Sequence, residues 1–182
     1  MRLLLAVVLA LMLSSVALAA PETRQVVPYK VSFDLNTQTK YQIQTPNPQG
    51  NTFAKVTPLM IKTDNSTWAS ISITEYKTPV DSTLGMQSAL AFWQTRARGI
   101  NVTAPANMTI DGKDGFLLSG VPFPGSNAPA GYKLFQAQYW IDSKQCECGP
   151  ISAGTTSVDI ISTYPQDVTM NLLKSVHVVK GA

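Results

Sequence analysis

Residues 132–142 read Tyr-Lys-Leu-Phe-Gln-Ala-Gln-Tyr-Trp-Ile-Asp, and this stretch decides the fold class. Alternate side chains of a β-strand point to opposite faces of its sheet. Leu134 and Trp140 belong to one set of alternate positions, and Phe135 and Tyr139 belong to the other. Because both sets contain large apolar side chains, the stretch predicts a long central strand that is covered on both faces.

The chain before this strand is also predicted to be rich in β-structure. Alternating apolar and polar residues predict strands in three pairs, at residues 27–35 with 41–44, 59–62 with 68–76, and 108–111 with 116–121. The first pair is expected to form an opening hairpin. The other two pairs are expected to be joined by turns rich in Asp, Asn and Gly.

Two helices are predicted from their end signals. The first follows Asp81 and Ser82, either of which can cap the free amides of a first turn, and ends at Gly99. The second begins at Pro165, whose missing amide costs nothing at a helix start. Strands are predicted on both sides of this second helix, at residues 157–163 and 176–179.

Three short segments add to this order of elements: VSFDL at residues 31–35, IDGKDGF at 110–116 and NLLKSVHV at 171–178. Together with that order, they resemble the PsbP superfamily, which takes its name from an extrinsic photosystem subunit. The resemblance implies an α+β fold, an α/β/α sandwich with a central, mostly antiparallel sheet and two main helices. It places the core at residues 27–179, and it implies a binding or assembly module.

The start of the chain has the pattern of an export signal. Arg2 precedes an apolar run at residues 3–13, and small residues follow it up to Ala20. A helix that spans a bilayer needs about 20 apolar residues, so this run is short for an anchor. It predicts a cleavable signal peptide at residues 1–19, with an uncleaved anchor as the alternative. The remaining residues, 20–182, are predicted to form a single secreted or otherwise extracytoplasmic domain.

Composition and motifs exclude several functions. The chain has 14 Lys and Arg against 11 Asp and Glu, a net charge of +3, and they form no basic block, so nucleic acid is not an expected partner. No apolar stretch after residue 20 is long enough to form a transmembrane segment. Phosphate loops, nucleophile elbows and paired-His motifs are missing from the sequence, and His177 is the single histidine. We predict no catalytic residue, metal site or cofactor, and a solvent-facing position for His177.

The most unusual local feature is the pair Cys146 and Cys148, separated by Glu147. In an exported protein, two cysteines usually form a disulfide. Three interpretations stay open: a structural disulfide within one surface loop, a thiol pair that exchanges redox equivalents or holds a soft metal with a partner, and bridges to a second chain.

Other surface features are candidates for modification or contact. Asn65, Asn101 and Asn107 each begin an Asn-X-Thr or Asn-X-Ser triplet, the acceptor pattern for N-glycosylation, although a Thr- and Asn-rich chain also produces such triplets by chance. Phe123 lies in the proline loop at residues 121–125 and is a candidate contact with a partner. The alternative is that Phe123 packs into the edge of the core.

The sequence therefore predicts an exported, non-catalytic binding or assembly module with a protein partner at the cell surface or envelope. The alternative is a small extracytoplasmic thiol-redox or metal-handling protein that uses Cys146 and Cys148. A hydrolase whose site forms no recognisable motif is a third hypothesis.

Overall fold

The computed structural model of the chain describes residues 21–63, 67–96, 100–125, 132–145 and 152–181. The predicted signal peptide at residues 1–19 lies outside the described residues, as do Asn65, Cys146 and Cys148. The strands are β1 (Glu22–Val26), β2 (Tyr29–Phe33), β3 (Tyr41–Gln44), β4 (Gln49–Gly50), β5 (Ala54–Thr63), β6 (Trp68–Asp81), β7 (Ile100–Val102), β8 (Ala106–Ile110), β9 (Lys113–Pro122), β10 (Leu134–Trp140), β11 (Lys144–Gln145), β12 (Ser152–Ser162) and β13 (His177–Lys180). The helices of the described ranges are α1 (Ser82–Arg96) and α2 (Gln166–Ser175).

The described residues form two sheets. The larger has ten strands in these residues, and its main path follows the order β3-β5-β6-β12-β10-β9-β7. β4 pairs with β5, β8 with β9, and β11 with β12. The pairs along the path are antiparallel. β10 lies between β9 and β12, and every residue of it is buried. The central strand predicted at residues 132–142 is thereby confirmed.

The smaller sheet has three strands in the order β1-β2-β13, all antiparallel. Helix α2 precedes β13 and buries Leu172 and Leu173 in the core. Pro165 stands directly before α2, and its carbonyl oxygen accepts a hydrogen bond of 2.9 Å from the amide of Thr169. The prediction of a helix that begins at this proline is confirmed to within one residue.

The main hydrophobic core combines the smaller sheet, α2 and one face of the larger sheet. Ile71 on β6 and Ile160 on β12 are paired in register, so their side chains point to the same face. They belong to one buried cluster with Val31 of β2, Val178 of β13 and Leu172 of α2. This burial of aliphatic side chains is the main source of stability for the fold.

The opposite face of the larger sheet carries a group of polar side chains beside a small apolar cluster of Ala89, Phe116 and Leu118. Gln138 on β10, Asp159 on β12 and Ser72 on β6 are register partners, so they point to one face. Helix α1 crosses this face and contacts β6, β10 and β12. Asp81 begins the helix, since its carboxylate accepts a 2.7 Å hydrogen bond from the amide of Thr83, as the sequence predicted.

The expected α/β/α sandwich is wrong. The described chain is mostly antiparallel β-sheet, and one side of the larger sheet is covered by a second sheet together with α2. The predicted opening hairpin is wrong for the same reason. β3 does form at Tyr41–Gln44, but it pairs with β5 of the larger sheet, whereas β2 pairs with β1 and β13. The alternation within a strand shows which side chains share a face, but not which sheet the strand joins.

The other two predicted hairpins are confirmed. β5 pairs with β6, and β8 pairs with β9. The second turn needs two residues with positive φ, and Asp111 (φ 51°) and Gly112 (φ 68°) supply them. Both residue types tolerate this left-handed conformation, which is why the Asp-Gly pair predicted the turn.

Candidate functional site

A cleft of about 410 Å³ opens between α1 and the polar face of the larger sheet. Its floor is formed by Gln136, Gln138 and Asp159, and Gly85 and Ser88 of α1 form its roof. We call it the α1 cleft. Its volume is within the range of sites that hold small ligands.

The floor is polar because of the alternation within β10. Gln136 and Gln138 point to the α1 side, and Phe135, Ala137 and Tyr139 point to the other. Amides are costly on a fully buried strand unless they form hydrogen bonds. Two amides at alternate positions of a central strand are therefore an unusual feature, and they are the sequence signal from which this site could have been found.

Asp159 provides the carboxylate of the cleft. The amide nitrogen Nε2 of Gln136 donates to both of its oxygens, at 3.0 Å to Oδ1 and 3.1 Å to Oδ2. Burial raises the pKa of Asp159 to about 6, against the lowering effect of the Gln136 hydrogen bond. Among the described residues, no Lys, Arg or His forms an ion pair with this carboxylate. Within the described residues, Asp159 is thus held by the amide of Gln136, and it keeps acceptor capacity for a ligand.

Gln138 provides a second acceptor. Its side chain is buried, and its Oε1 atom has no hydrogen-bond donor within the described part of the chain. A Cβ at Gly85 would lie only 2.7 Å from this oxygen, so glycine is what allows α1 to approach so closely. Leaving a buried acceptor unpaired costs roughly 1–3 kcal/mol. A donor from a bound ligand would recover part of that free energy.

One end of the cleft is aromatic and apolar. Tyr76 lines it and stacks on Trp140, with ring centroids 5.4 Å apart and planes inclined by 30°. Val80 and Leu84 also line it, and Leu84 is 55% exposed. The α1 cleft therefore combines an acceptor-rich floor with an apolar rim.

A second cleft, of about 530 Å³, lies on the other side of α1 against the β8–β9 hairpin. Thr83, Asn107, Asp114 and Phe116 are among its lining residues. This second cleft is larger than the α1 cleft, but none of these four side chains carries a buried, unpaired polar atom. The α1 cleft is the better candidate for a binding site.

His177 occupies the exposed strand position that the sequence predicted, with 59% of its side chain accessible. The sequence did not reveal its partner: Nδ1 of His177 lies 2.5 Å from Oδ1 of Asp111. Asp111 also accepts hydrogen bonds from the hydroxyl of Tyr139 at 3.2 Å and from the amide of Val178 at 3.0 Å. Burial, and then the charge of Asp111, raise the pKa of Tyr139. Since Tyr139 points away from Gln138 on β10, this network lies on the face opposite the α1 cleft.

The predicted surface sites are spread over the molecule. Phe123 is 49% exposed beyond the end of β9, and it does not line the α1 cleft. Asn101 and Asn107 are exposed, on β7 and β8. The threonine of the Asn101 triplet, Thr103, donates a hydrogen bond of 3.0 Å to the carbonyl of Ser119. Asn65, Cys146 and Cys148 are not among the described residues, so their modification and pairing stay predictions.

Within the described ranges, no cluster of three or more His, Cys, Asp or Glu side chains could hold a metal ion. Neither described helix is long and apolar enough to cross a membrane. Comparisons with protein-family models, with curated proteins and with solved structures returned no match. The functional conclusion therefore depends on the chemistry of the α1 cleft.

Proposed function

We propose that this chain is an exported, non-catalytic binding module whose ligand occupies the α1 cleft. The observation that carries the proposal is the oxygen Oε1 of Gln138, which is buried, unpaired within the described chain and directed at the underside of α1. Asp159 is its register partner on β12, so two acceptors lie side by side on the floor.

The energetics of the floor favour a bound ligand. A folded domain has only about 5–15 kcal/mol of net stability, so the unpaired amide oxygen of Gln138 and the partly buried carboxylate of Asp159 together cost a substantial part of it. Buried polar groups that reduce stability are often retained because they serve function. A ligand that donates hydrogen bonds to Asp159 and Gln138 would satisfy both groups.

The distribution of reactive side chains supports binding rather than catalysis. Among the described residues that line the α1 cleft, none is His, Cys or Lys. The single histidine of the chain, His177, bonds to Asp111 on the other side of the larger sheet. Within the described ranges, Asp159 therefore has no histidine base or thiol beside it.

The test is a thermal-shift screen in which a blocked variant identifies binding in the cleft. Ser88→Trp places a large ring at an exposed position that lines the cleft. Gln87→Trp adds the same ring at the neighbouring exposed position, which does not line it. The ligand panel contains aliphatic amines, carboxylates, alcohols and short sugars.

At least one class of ligand in the panel should raise the Tm of the wild-type chain and the Tm of Gln87→Trp by the same amount. The same ligand should leave the Tm of Ser88→Trp unchanged. A ligand present at about 100 times its Kd stabilises a fold by about 2.7 kcal/mol, which is several degrees in Tm. The proposal is wrong if no class shifts the wild-type Tm, or if Ser88→Trp responds as strongly as the wild type.

A further inference from the structure

The chemistry of the α1 cleft restricts the charge of its ligand. The two strongest groups on its floor, the carboxylate of Asp159 and Oε1 of Gln138, are both hydrogen-bond acceptors. None of the lining residues in the described part of the chain is Lys, Arg or His. An anionic ligand would meet the carboxylate of Asp159 with no compensating cation among the described lining residues, which disfavours carboxylates, phosphates and sulfates. A ligand that carries donors and a positive charge fits both acceptors.

The arrangement also restricts the shape of the ligand. Val80 and Leu84 form an apolar wall beside the polar floor, so a hydrocarbon stem can pack there while a polar head reaches Asp159. An ammonium group is compact and has three donors, whereas a guanidinium is a planar fork with five donors that needs more acceptors than this floor offers. A volume of about 410 Å³ suits a short alkyl stem.

We infer that the α1 cleft selects a primary ammonium group carried on an apolar stem. The ammonium lies between Asp159 and Gln138, and the stem lies against Leu84. This inference rests on the proposed function, because it names the ligand chemistry of the same cleft. A free aliphatic amine and the lysine side chain of a partner protein share this chemistry.

The environment of Asp159 makes this binding depend on pH. β10 faces it with Gln136 and Gln138, which do not titrate, and β6 contributes Tyr76 to the same cleft. The described α1 side chains that line the cleft carry no charge. Asp159 is therefore the group that changes charge between weakly acidic and neutral pH, with a pKa of about 6. Protonation removes the partner of the ammonium, so affinity should fall by about tenfold for each pH unit below this value.

The experiment is calorimetric titration of the full mature chain with three probes that share one stem: hexylamine, hexanol and hexanoate. At about pH 7.5, hexylamine should bind about tenfold more tightly than hexanol, and hexanoate should bind most weakly. Asp159→Asn should remove this preference and the pH dependence together. Gln138→Met, which removes the second acceptor and keeps the size of the side chain, should weaken hexylamine several-fold. Asp167→Asn is the charge-matched control, because Asp167 is exposed in the first turn of α2.

Different failures have different meanings. Suppose that hexanol or hexanoate binds at least as tightly as hexylamine and that Ser88→Trp abolishes this binding. The inferred preference for an ammonium group is then wrong, while the proposed binding function stands. If none of the probes and no member of the wider panel binds, both are wrong. An unchanged hexylamine affinity in Asp159→Asn also overturns the inference.

A fourth titration, with Nα-acetyl-lysine methylamide, separates the two sources of the ammonium. Tighter binding of this blocked lysine than of hexylamine identifies a protein side chain as the ligand. The reverse order identifies a free amine. Failure of both to bind contradicts the inference.

Discussion

Asp159 places a carboxyl group beside the amide of Gln136 and in register with Gln138 of β10 and Ser72 of β6. Its pKa is raised to about 6, which means that the folded chain favours the protonated acid more than the unfolded chain does. The protonated acid therefore contributes to the stability of the fold. This contribution is complete at a pH below the pKa of the group in the unfolded chain, and it is lost as the pH rises through the pKa of the group in the folded chain. The ionised Asp159 should therefore lower the free energy of unfolding at neutral pH.

The substitution Asp159→Asn tests this linkage. Asparagine keeps an oxygen that can accept the hydrogen bond from Gln136 and carries no charge. At about pH 8 the variant should exceed the wild type in free energy of unfolding by on the order of 2–3 kcal/mol, and below about pH 4 the difference should vanish. Urea unfolding across this pH range measures it.

Asp167→Asn again serves as the control, and it should follow the wild-type pH profile closely. If the stability of the wild-type chain relative to Asp159→Asn does not fall between about pH 4 and pH 6, the pKa of Asp159 is not raised by folding.

At the scale of elements, α1 depends on Gly85 for its distance from the sheet. A Cβ at this position would lie 2.7 Å from Oε1 of Gln138 and 3.5 Å from Cζ2 of Trp140. Glycine inside a helix costs roughly 0.5–1 kcal/mol relative to alanine. The helix therefore carries a local penalty at the one place where its backbone forms the roof of the cleft.

Gly85→Ala should accordingly change stability little and binding strongly. The gain in helix propensity and the displacement of the Gln138 amide act in opposite directions, so the free energy of unfolding should stay within about 1 kcal/mol of the wild type. Affinity for the cleft ligand should fall several-fold, as calorimetric titration would show. Gln87→Ala, on the exposed side of α1, should bind normally; equal affinities in the two variants would contradict this role of Gly85.

The sequence predicted individual elements better than their assembly. The alternating pattern and turn residues found β10, the β5–β6 and β8–β9 hairpins, and both helices, because these signals are local. The pairing of β13 with β2 is not local: His177 lies opposite Ser32, far away in the sequence. No local pattern indicates such a pairing, which is why the layers were predicted incorrectly.

The carboxylate of the candidate site was hidden from sequence analysis for a similar reason. Asp159 alternates with Val158 and Ile160 and was not distinguished from any other polar strand residue. Its importance comes from its register with Gln138 and from the helix that covers both. The unusual sequence features, Cys146 and Cys148, lie outside the described residues. Rare residues attract attention in a sequence, whereas this site consists of common ones brought together by the fold.

At the scale of the whole molecule, Asp111 joins the two sheets. It belongs to the turn between β8 and β9 of the larger sheet, and it accepts hydrogen bonds from Val178 of the smaller sheet and from the hydroxyl of Tyr139. The Oδ2 atom takes both of these bonds, and Oδ1 contacts His177. The Asp111 side chain thereby bonds β13 to the larger sheet.

Asp111→Ala should destabilise the fold by on the order of 3 kcal/mol. It leaves the hydroxyl of Tyr139 and the amide of Val178 without their acceptor, and alanine adopts φ 51° less readily than aspartate does. Asp111→Asn should cost about 1 kcal/mol, since asparagine tolerates this φ and retains an acceptor. Asp114→Ala, at an exposed position just after the same turn, is the matched control. Denaturant unfolding measures all three, and equal stabilities for Asp111→Ala and Asp114→Ala would refute the joining role.

The place of β13 beside β2 also has a consequence for the order of folding. Val31 pairs with Val178, so the smaller sheet cannot close until almost the whole chain to residue 178 is available. Contacts between distant parts of a chain form slowly, since the intervening segment must first be brought together. During synthesis the chain would therefore stay without its complete core until late. A chain in that state is still able to pass through a narrow translocation channel, as the export signal predicted at residues 1–19 requires.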